Sequence, residues 1–218
     1  MKKMNEAIPD KIVIEGKPKY IKLGDDYNFF SIFKKIEDNY DNCFLFESLG
    51  EESNVSRFHI IGFDPRYLIS SNKRNELSIS DTLKKTEKKY KCENPYFTLR
   101  TIVPQNIISR KYAGGLVGFI SYDSINFFED DLNIKKNEDF ETFKFGVYLD
   151  GLVFDQMTGE IFYYYYQKNQ IENLKDILNK KDITDDYVEC EFLGNTMNKD
   201  DHKKAVLKIK EDIKNGLI

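Results

Sequence analysis

Three glycines, Gly114, Gly115 and Gly118, head the apolar run Leu116–Ile120 and raise the question of whether they cradle a phosphate. Their order, Gly-Gly-x-x-Gly, is not the G-x-G-x-x-G of dinucleotide sites, and no Gly-Lys-Ser/Thr follows, so phosphate chemistry has little support. Glycines before a short apolar run instead mark a buried strand closely approached by a neighbour, here a second sheet. Glu47 and Ser48 follow directly on the apolar Cys43–Phe46. Ser48 with Glu51 makes a possible capping box, and Glu47 is open to solvation or to pairing. Arg57 stands near the start of the next apolar stretch, where it can pair with Glu47 or Glu51. His59 and His202 are the two histidines, far apart in sequence, so neither forms a metal site or a Ser-His-Asp arrangement. His59, between Phe58 and Ile60, reads as a packed or hydrogen-bonded side chain. Cys43, Cys92 and Cys190 are an odd set at wide spacing with no C-x-x-C, which suits a reducing, cytoplasmic setting.

Composition narrows the class. The 33 basic and 37 acidic residues of the 218-residue chain nearly cancel, leaving a formal charge of -4, which argues against nucleic acid or an anionic membrane as partner. Seventeen Phe and 14 Tyr can build a sizeable core without tryptophan, and 5 Pro with 12 Gly argue against disorder. The first residues, MKKMNEAIPDK, lack the apolar segment of a signal peptide, and no apolar run reaches membrane-spanning length.

The elements that position these residues follow from periodicity. Tyr20–Leu23 reads as a short strand. Asp25 and Asp26 are expected to cap a helix from Tyr27 to about Asn39, with Phe29, Ile32, Phe33 and Ile36 on one face. Cys43–Phe46 and Arg57–Gly62 read as partner strands, as do Tyr67–Ser71 and Leu77–Ile79. The charged Thr82–Glu93 reads as a solvated linker or short exposed helix. Asn94 and Pro95 open a helix running through Val103. Asp123 is expected to cap a short helix after the glycine strand. Phe143–Phe154 reads as one long strand, followed by a turn at Asp155–Gly159 and a second strand at Glu160–Gln167. The tyrosine run Tyr163–Tyr166 is divided by alternation between the two faces of the sheet, core on one side and surface on the other. Ile171, Leu174, Ile177 and Leu178 mark a helix, Lys181–Thr196 a charged link, and Asn198 to Gly216 a capped amphipathic helix with Val206, Ile209 and Ile213 on one face.

Three blocks in order, FLFES at Phe44–Ser48, SRFHIIGFDP at Ser56–Pro65 and GGLVGFISYD followed by FFE in Gly114–Glu129, resemble the N-terminal region of anthranilate synthase component I, a chorismate-using enzyme. The resemblance implies an α+β fold of two packed antiparallel sheets with helices outside, incomplete at the C-terminus. It implies a regulatory domain over residues 1–196 and the first helix of a chorismate-binding catalytic domain over 197–218. In the family the Glu-Ser pair lies in the pocket for the feedback inhibitor L-tryptophan, so Glu47 and Ser48, with Arg57 as a further candidate, are the expected effector-binding residues. A carboxylate can hold the α-ammonium group and a cation the carboxylate.

The family's acid–base groups, chorismate contacts and Mg²⁺ ligands lie in a C-terminal half. The resemblance therefore implies that these 218 residues alone do not turn over chorismate. It also implies a glutamine amidotransferase subunit as partner, for the conversion of chorismate and ammonia to anthranilate and pyruvate. Asn126, Phe119 and Leu217 depart from the arginine, tyrosine and aspartate usual in the family. The first two keep aminodeoxychorismate synthase component I, of folate biosynthesis, as an alternative. A stand-alone amino-acid-binding domain is a second.

Overall fold

The structure is a computed structural model, and it describes residues 9–24, 27–48, 56–73, 75–104, 112–129, 132, 134–135, 139–183 and 189–217. The chain divides into two compact units, Met1–Ile183 and Thr184–Ile218. The α+β expectation is met: the first unit holds two antiparallel five-stranded sheets with helices against them.

The first sheet comprises β1 (Lys19–Lys22), β2 (Cys43–Phe46), β3 (Phe58–Phe63), β9 (Asp150–Asp155) and β10 (Glu160–Tyr165), in the order β1-β10-β9-β3-β2. The second comprises β4 (Tyr67–Lys73), β5 (Glu76–Asp81), β6 (Thr86–Lys91), β7 (Gly115–Ile120) and β8 (Phe143–Tyr148), in the order β6-β5-β4-β8-β7. Each sheet has its own apolar core. Helices α1 (Phe29–Glu37) and α3 (Ile171–Leu178) lay Ile32, Ile36 and Leu174 against Ile61, Phe63, Leu152 and Tyr163 of the first. Leu99 and Ile102 of α2 (Pro95–Ile102), with Ile12 and Ile14, cover Ile69, Leu77, Phe143 and Val147 of the second. Burial of this kind stabilises by about 1.5–3 kcal/mol per large side chain. Lys35 of α1 is buried and spans to α3, donating to the Leu178 carbonyl at 2.8 Å and pairing with Asp182 at 2.8 Å.

Local signals explain most boundaries. The Asn94 side chain accepts from the amides of Tyr96 and Phe97, with Pro95 at the first helical position, where its missing N–H costs nothing. Helix α1 is capped by Asn28, whose side chain accepts from Ser31 N; the expected caps Asp25 and Asp26 lie outside the described residues. In the second unit α4 (Lys199–Lys214) is capped by Asn198 and closed by Gly216 at φ +68°, as the spacing predicts. Val206, Ile209 and Ile213 on its face are exposed.

Five expectations are corrected. The charged Thr82–Glu93 is a hairpin turn and β6, an edge strand whose Glu87, Lys88, Lys89 and Lys91 suit a sheet border facing water. Phe143–Phe154 is two strands in different sheets, joined by Leu149 alone. Asp123 lies inside a 3₁₀ helix, Tyr122–Phe127, with Ser121 at its N-cap; Asp123 is buried and accepts from Ser121 Oγ. The tyrosine run has core on both faces, with Tyr163, Tyr164 and Tyr166 buried: α1 and α3 cover Tyr163, Tyr166 joins the apolar core of the second sheet, and Tyr164 meets the Tyr112 ring edge-on. The glycine strand is present as β7, but it is an edge strand with Phe119 and Ile120 exposed rather than a buried one. The close neighbour of Gly118 is β8 of the same sheet, where an added Cβ would sit 2.0 Å from the Lys144 carbonyl oxygen, and only at Gly114 would a Cβ also meet the first sheet, at the Tyr164 ring.

Candidate effector site

Strand β3 organises the candidate site, because alternation sends its neighbours to opposite faces of the first sheet. Pairing of Cys43 with Phe63 and Leu45 with Ile61 carries Glu47 onto the helix-covered face, across from His59. Glu47 Oε1 lies 3.6 Å from His59 Nδ1, with the carboxylate side chain 39% exposed. His59 is held edge-on between Phe29 of α1 and Phe154 of β9, with ring centroids 6.0 and 5.5 Å away. Its Nε2 meets the side-chain amide of Gln156, which also donates to the Ser48 carbonyl at 3.3 Å. Ser48 Oγ donates to the Phe58 carbonyl at 3.3 Å. Glu47, Ser48, His59 and Gln156 thus form one polar unit across the ends of β2, β3 and β9. The partner in the expected capping box, Glu51, lies outside the described residues, and the Ser48 hydroxyl is engaged by β3.

Arg57 faces another way. Its Nε and one terminal nitrogen grip Asp155 at 2.9 and 2.6 Å, and its guanidinium stacks on Phe58 at 5.0 Å. The fork holds the Asp155 carboxyl below the usual carboxylate range and raises the arginine further. Among the described residues Arg57 therefore pairs with Asp155 and not with Glu47, and its other expected partner, Glu51, lies outside them. The pair borders a cleft of about 350 Å³ whose walls include Tyr20, Phe58, Tyr112, Val153 and Phe162, with Glu160 at the rim. Tyr20 Oη donates to the Tyr112 carbonyl at 3.0 Å, fixing one wall. Aromatic walls beside a guanidinium and two carboxylates suit a small amphipathic molecule.

The structure thus brings Glu47 and Ser48 together and puts Arg57 on a neighbouring cleft. It adds Asp155, Gln156 and His59, which the sequence reading left as turn residues or packing. The register of β3 against β9, pairing Phe58 with Asp155 and His59 with Phe154, unites them, and no local motif encodes it. Among the described residues no group of three or more His, Cys, Asp or Glu side chains could hold a metal ion. No helix of the described residues is long and apolar enough to cross a membrane.

The family described as chorismate binding enzyme matches residues 41–218. The chain belongs to that family. It is 38% identical over 218 residues to "Anthranilate synthase component 1" of Leptospira biflexa, covering 98% of this chain and 46% of that protein. It is 32% identical over 155 residues to the protein of that name from Methanothermobacter thermautotrophicus, covering 71% of this chain and 32% of the relative. Among solved structures, anthranilate synthase component I from Streptococcus pneumoniae TIGR4 matches with a TM-score of 0.41 and 24% identity, over 60% of this chain and 30% of that one. The chain spans less than half the length of these curated relatives.

Proposed function

We propose that this chain is the regulatory, effector-binding part of an anthranilate synthase component I, with L-tryptophan as the inhibitor. The observation that carries the reading is the Glu47 carboxylate, open to solvent on one side and faced on the other by His59 at 3.6 Å, beside Ser48, in a chain whose relatives bear that name. An α-ammonium group approaching Glu47 gains a charge-assisted hydrogen bond. Arg57, the further candidate for the ligand's carboxylate, is paired with Asp155 on a cleft whose lining includes neither Glu47 nor Ser48. Bound tryptophan inhibits only by favouring one state of the enzyme over another.

The whole enzyme, on this reading, makes anthranilate from chorismate with ammonia from a glutamine amidotransferase subunit, in the cytoplasm. Mg²⁺ is the cofactor of that whole enzyme on this reading. Anthranilate fluorescence with chorismate and ammonia is expected to stay at background for the chain alone. Calorimetric titration of L-tryptophan tests the effector role, run with the chain alone and with the C-terminal half of the Leptospira biflexa relative added. Saturable binding that weakens about tenfold in Glu47→Ala, the effect of losing one charge-assisted hydrogen bond, supports the reading. Absence of binding in both arms overturns it. Binding that survives Glu47→Ala without the added half points to a stand-alone amino-acid domain using the cleft instead.

A further inference from the structure

We propose that His59 is a positioning residue: its imidazole fixes the direction in which the Glu47 carboxylate faces an incoming ammonium group. The proposal rests on the effector reading for its ligand, and on geometry for everything else. An exposed glutamate at a strand end has three free torsions and presents its carboxylate over a wide arc. Here the register sets Glu47 opposite His59, and Nδ1 stands 3.6 Å from Oε1.

The imidazole cannot swing away. Phe29 and Phe154 meet it edge to face, and the Gln156 amide occupies its Nε2 side. Gln156 is itself fixed by its backbone amide, which donates to the Arg57 carbonyl at 2.9 Å, and by its side chain on the Ser48 carbonyl. With Nε2 facing that amide, the tautomer that accepts there donates from Nδ1 toward Glu47. At 3.6 Å the Nδ1–H dipole faces one oxygen of Glu47 from just beyond hydrogen-bond distance, and the other oxygen is left for a ligand donor. A phenylalanine would fill the same aromatic slot, so packing alone does not call for a histidine.

Nuclear magnetic resonance on the full chain separates positioning from packing. Glu47→Gln changes an exposed side chain and leaves the fold intact. It is expected to move the ring-nitrogen resonances of His59, and an unchanged ring overturns the proposal. His59→Phe keeps the aromatic packing and removes the donor. The Glu47 side-chain carboxylate resonance is expected to move toward that of a free glutamate, and tryptophan affinity to fall about tenfold. His59→Asn restores a donor near the Nδ1 position and is expected to recover the Glu47 resonance. A folded asparagine variant with a free-glutamate signal overturns the proposal even where the phenylalanine variant fails to fold. A His59 ring that responds to Glu47→Gln in a protein that binds no tryptophan supports the positioning and overturns the effector reading.

Discussion

Two arginine–aspartate forks flank β3, and they are built alike. Arg57 grips Asp155 and stacks on Phe58, whereas Arg66 grips Asp81 and stacks on Tyr67. Each aspartate closes a strand and accepts an amide from the turn that follows, from Met157 at 3.1 Å and from Lys84 at 2.8 Å. Each arginine carbonyl accepts the amide of the residue after its aspartate, Gln156 at 2.9 Å and Thr82 at 3.3 Å. Each turn ends in a left-handed residue, Gly159 at φ +69° and Lys85 at φ +52°.

The forks diverge at one side chain. Thr82 folds back on the Pro65 and Arg66 carbonyls at 2.7 and 3.1 Å, closing a local clamp. Gln156 reaches outward to Ser48 and His59. The same hairpin serves structure in one place and a candidate site in the other, and the difference is where one polar side chain spends its hydrogen bonds.

Breaking the clamp should have the largest effect. Asp81→Ala strands a mostly buried guanidinium and frees the Lys84 amide, with an expected loss of about 2 kcal/mol in urea unfolding. Asp155→Ala, beside a more exposed arginine, should lower the unfolding midpoint less while altering ligand binding at the cleft.

The cavity that Arg66 shares with Asp150 sharpens the contrast. Burial first, and Asp64 secondarily, push the Asp150 carboxyl up to about 6 against the lowering effect of the Tyr163 hydroxyl. A carboxyl raised in the fold binds protons there that the unfolded chain releases, so its contribution to stability falls as pH rises from about 4 to 6. Asp150→Asn cannot ionise. It should match the parent at pH 4 and exceed it by about 1–2 kcal/mol at pH 8, a figure discounted for partial exposure, as read from urea curves at both values.

The turns themselves give a smaller, opposed pair. Gly159→Ala should cost about 1 kcal/mol through its backbone alone, since an added Cβ meets nothing within 4 Å. Lys85→Gly should gain about 0.5–1 kcal/mol by relieving the left-handed lysine. Smallest of all, Gln156→Thr converts one hairpin to the other's pattern. Its midpoint should shift by only a few tenths of a kcal/mol, while the His59 ring resonances move.

Elements announced by local chemistry were legible in the sequence. The Asn94–Pro95 cap, the Asn198 and Gly216 ends of α4, the β2–β3 pair and the glycine strand all follow from a few adjacent residues. β6 was not legible, because five charged or polar residues around Tyr90 mimic a solvated linker, and only the register against β5 makes them a border. Nor was the break at Leu149, since strands buried on both faces read as one continuous apolar run. Within the candidate site, Glu47, Ser48 and Arg57 could be singled out by type and neighbourhood. Asp155 and Gln156 could not, because their partners lie about a hundred positions away in the chain.

The single-residue passage at Leu149 gives the two sheets almost no slack. Strand β9, which carries Asp155 beside the candidate site, runs back through one residue into β8, and β8 pairs along its whole length with β7. Any tilt of one layer against the other must be taken up by a couple of backbone torsions. A shift at the Asp155 end of β9 is therefore one linking residue removed from β8, which pairs with β4 on one side and with the uncharged border strand β7 on the other.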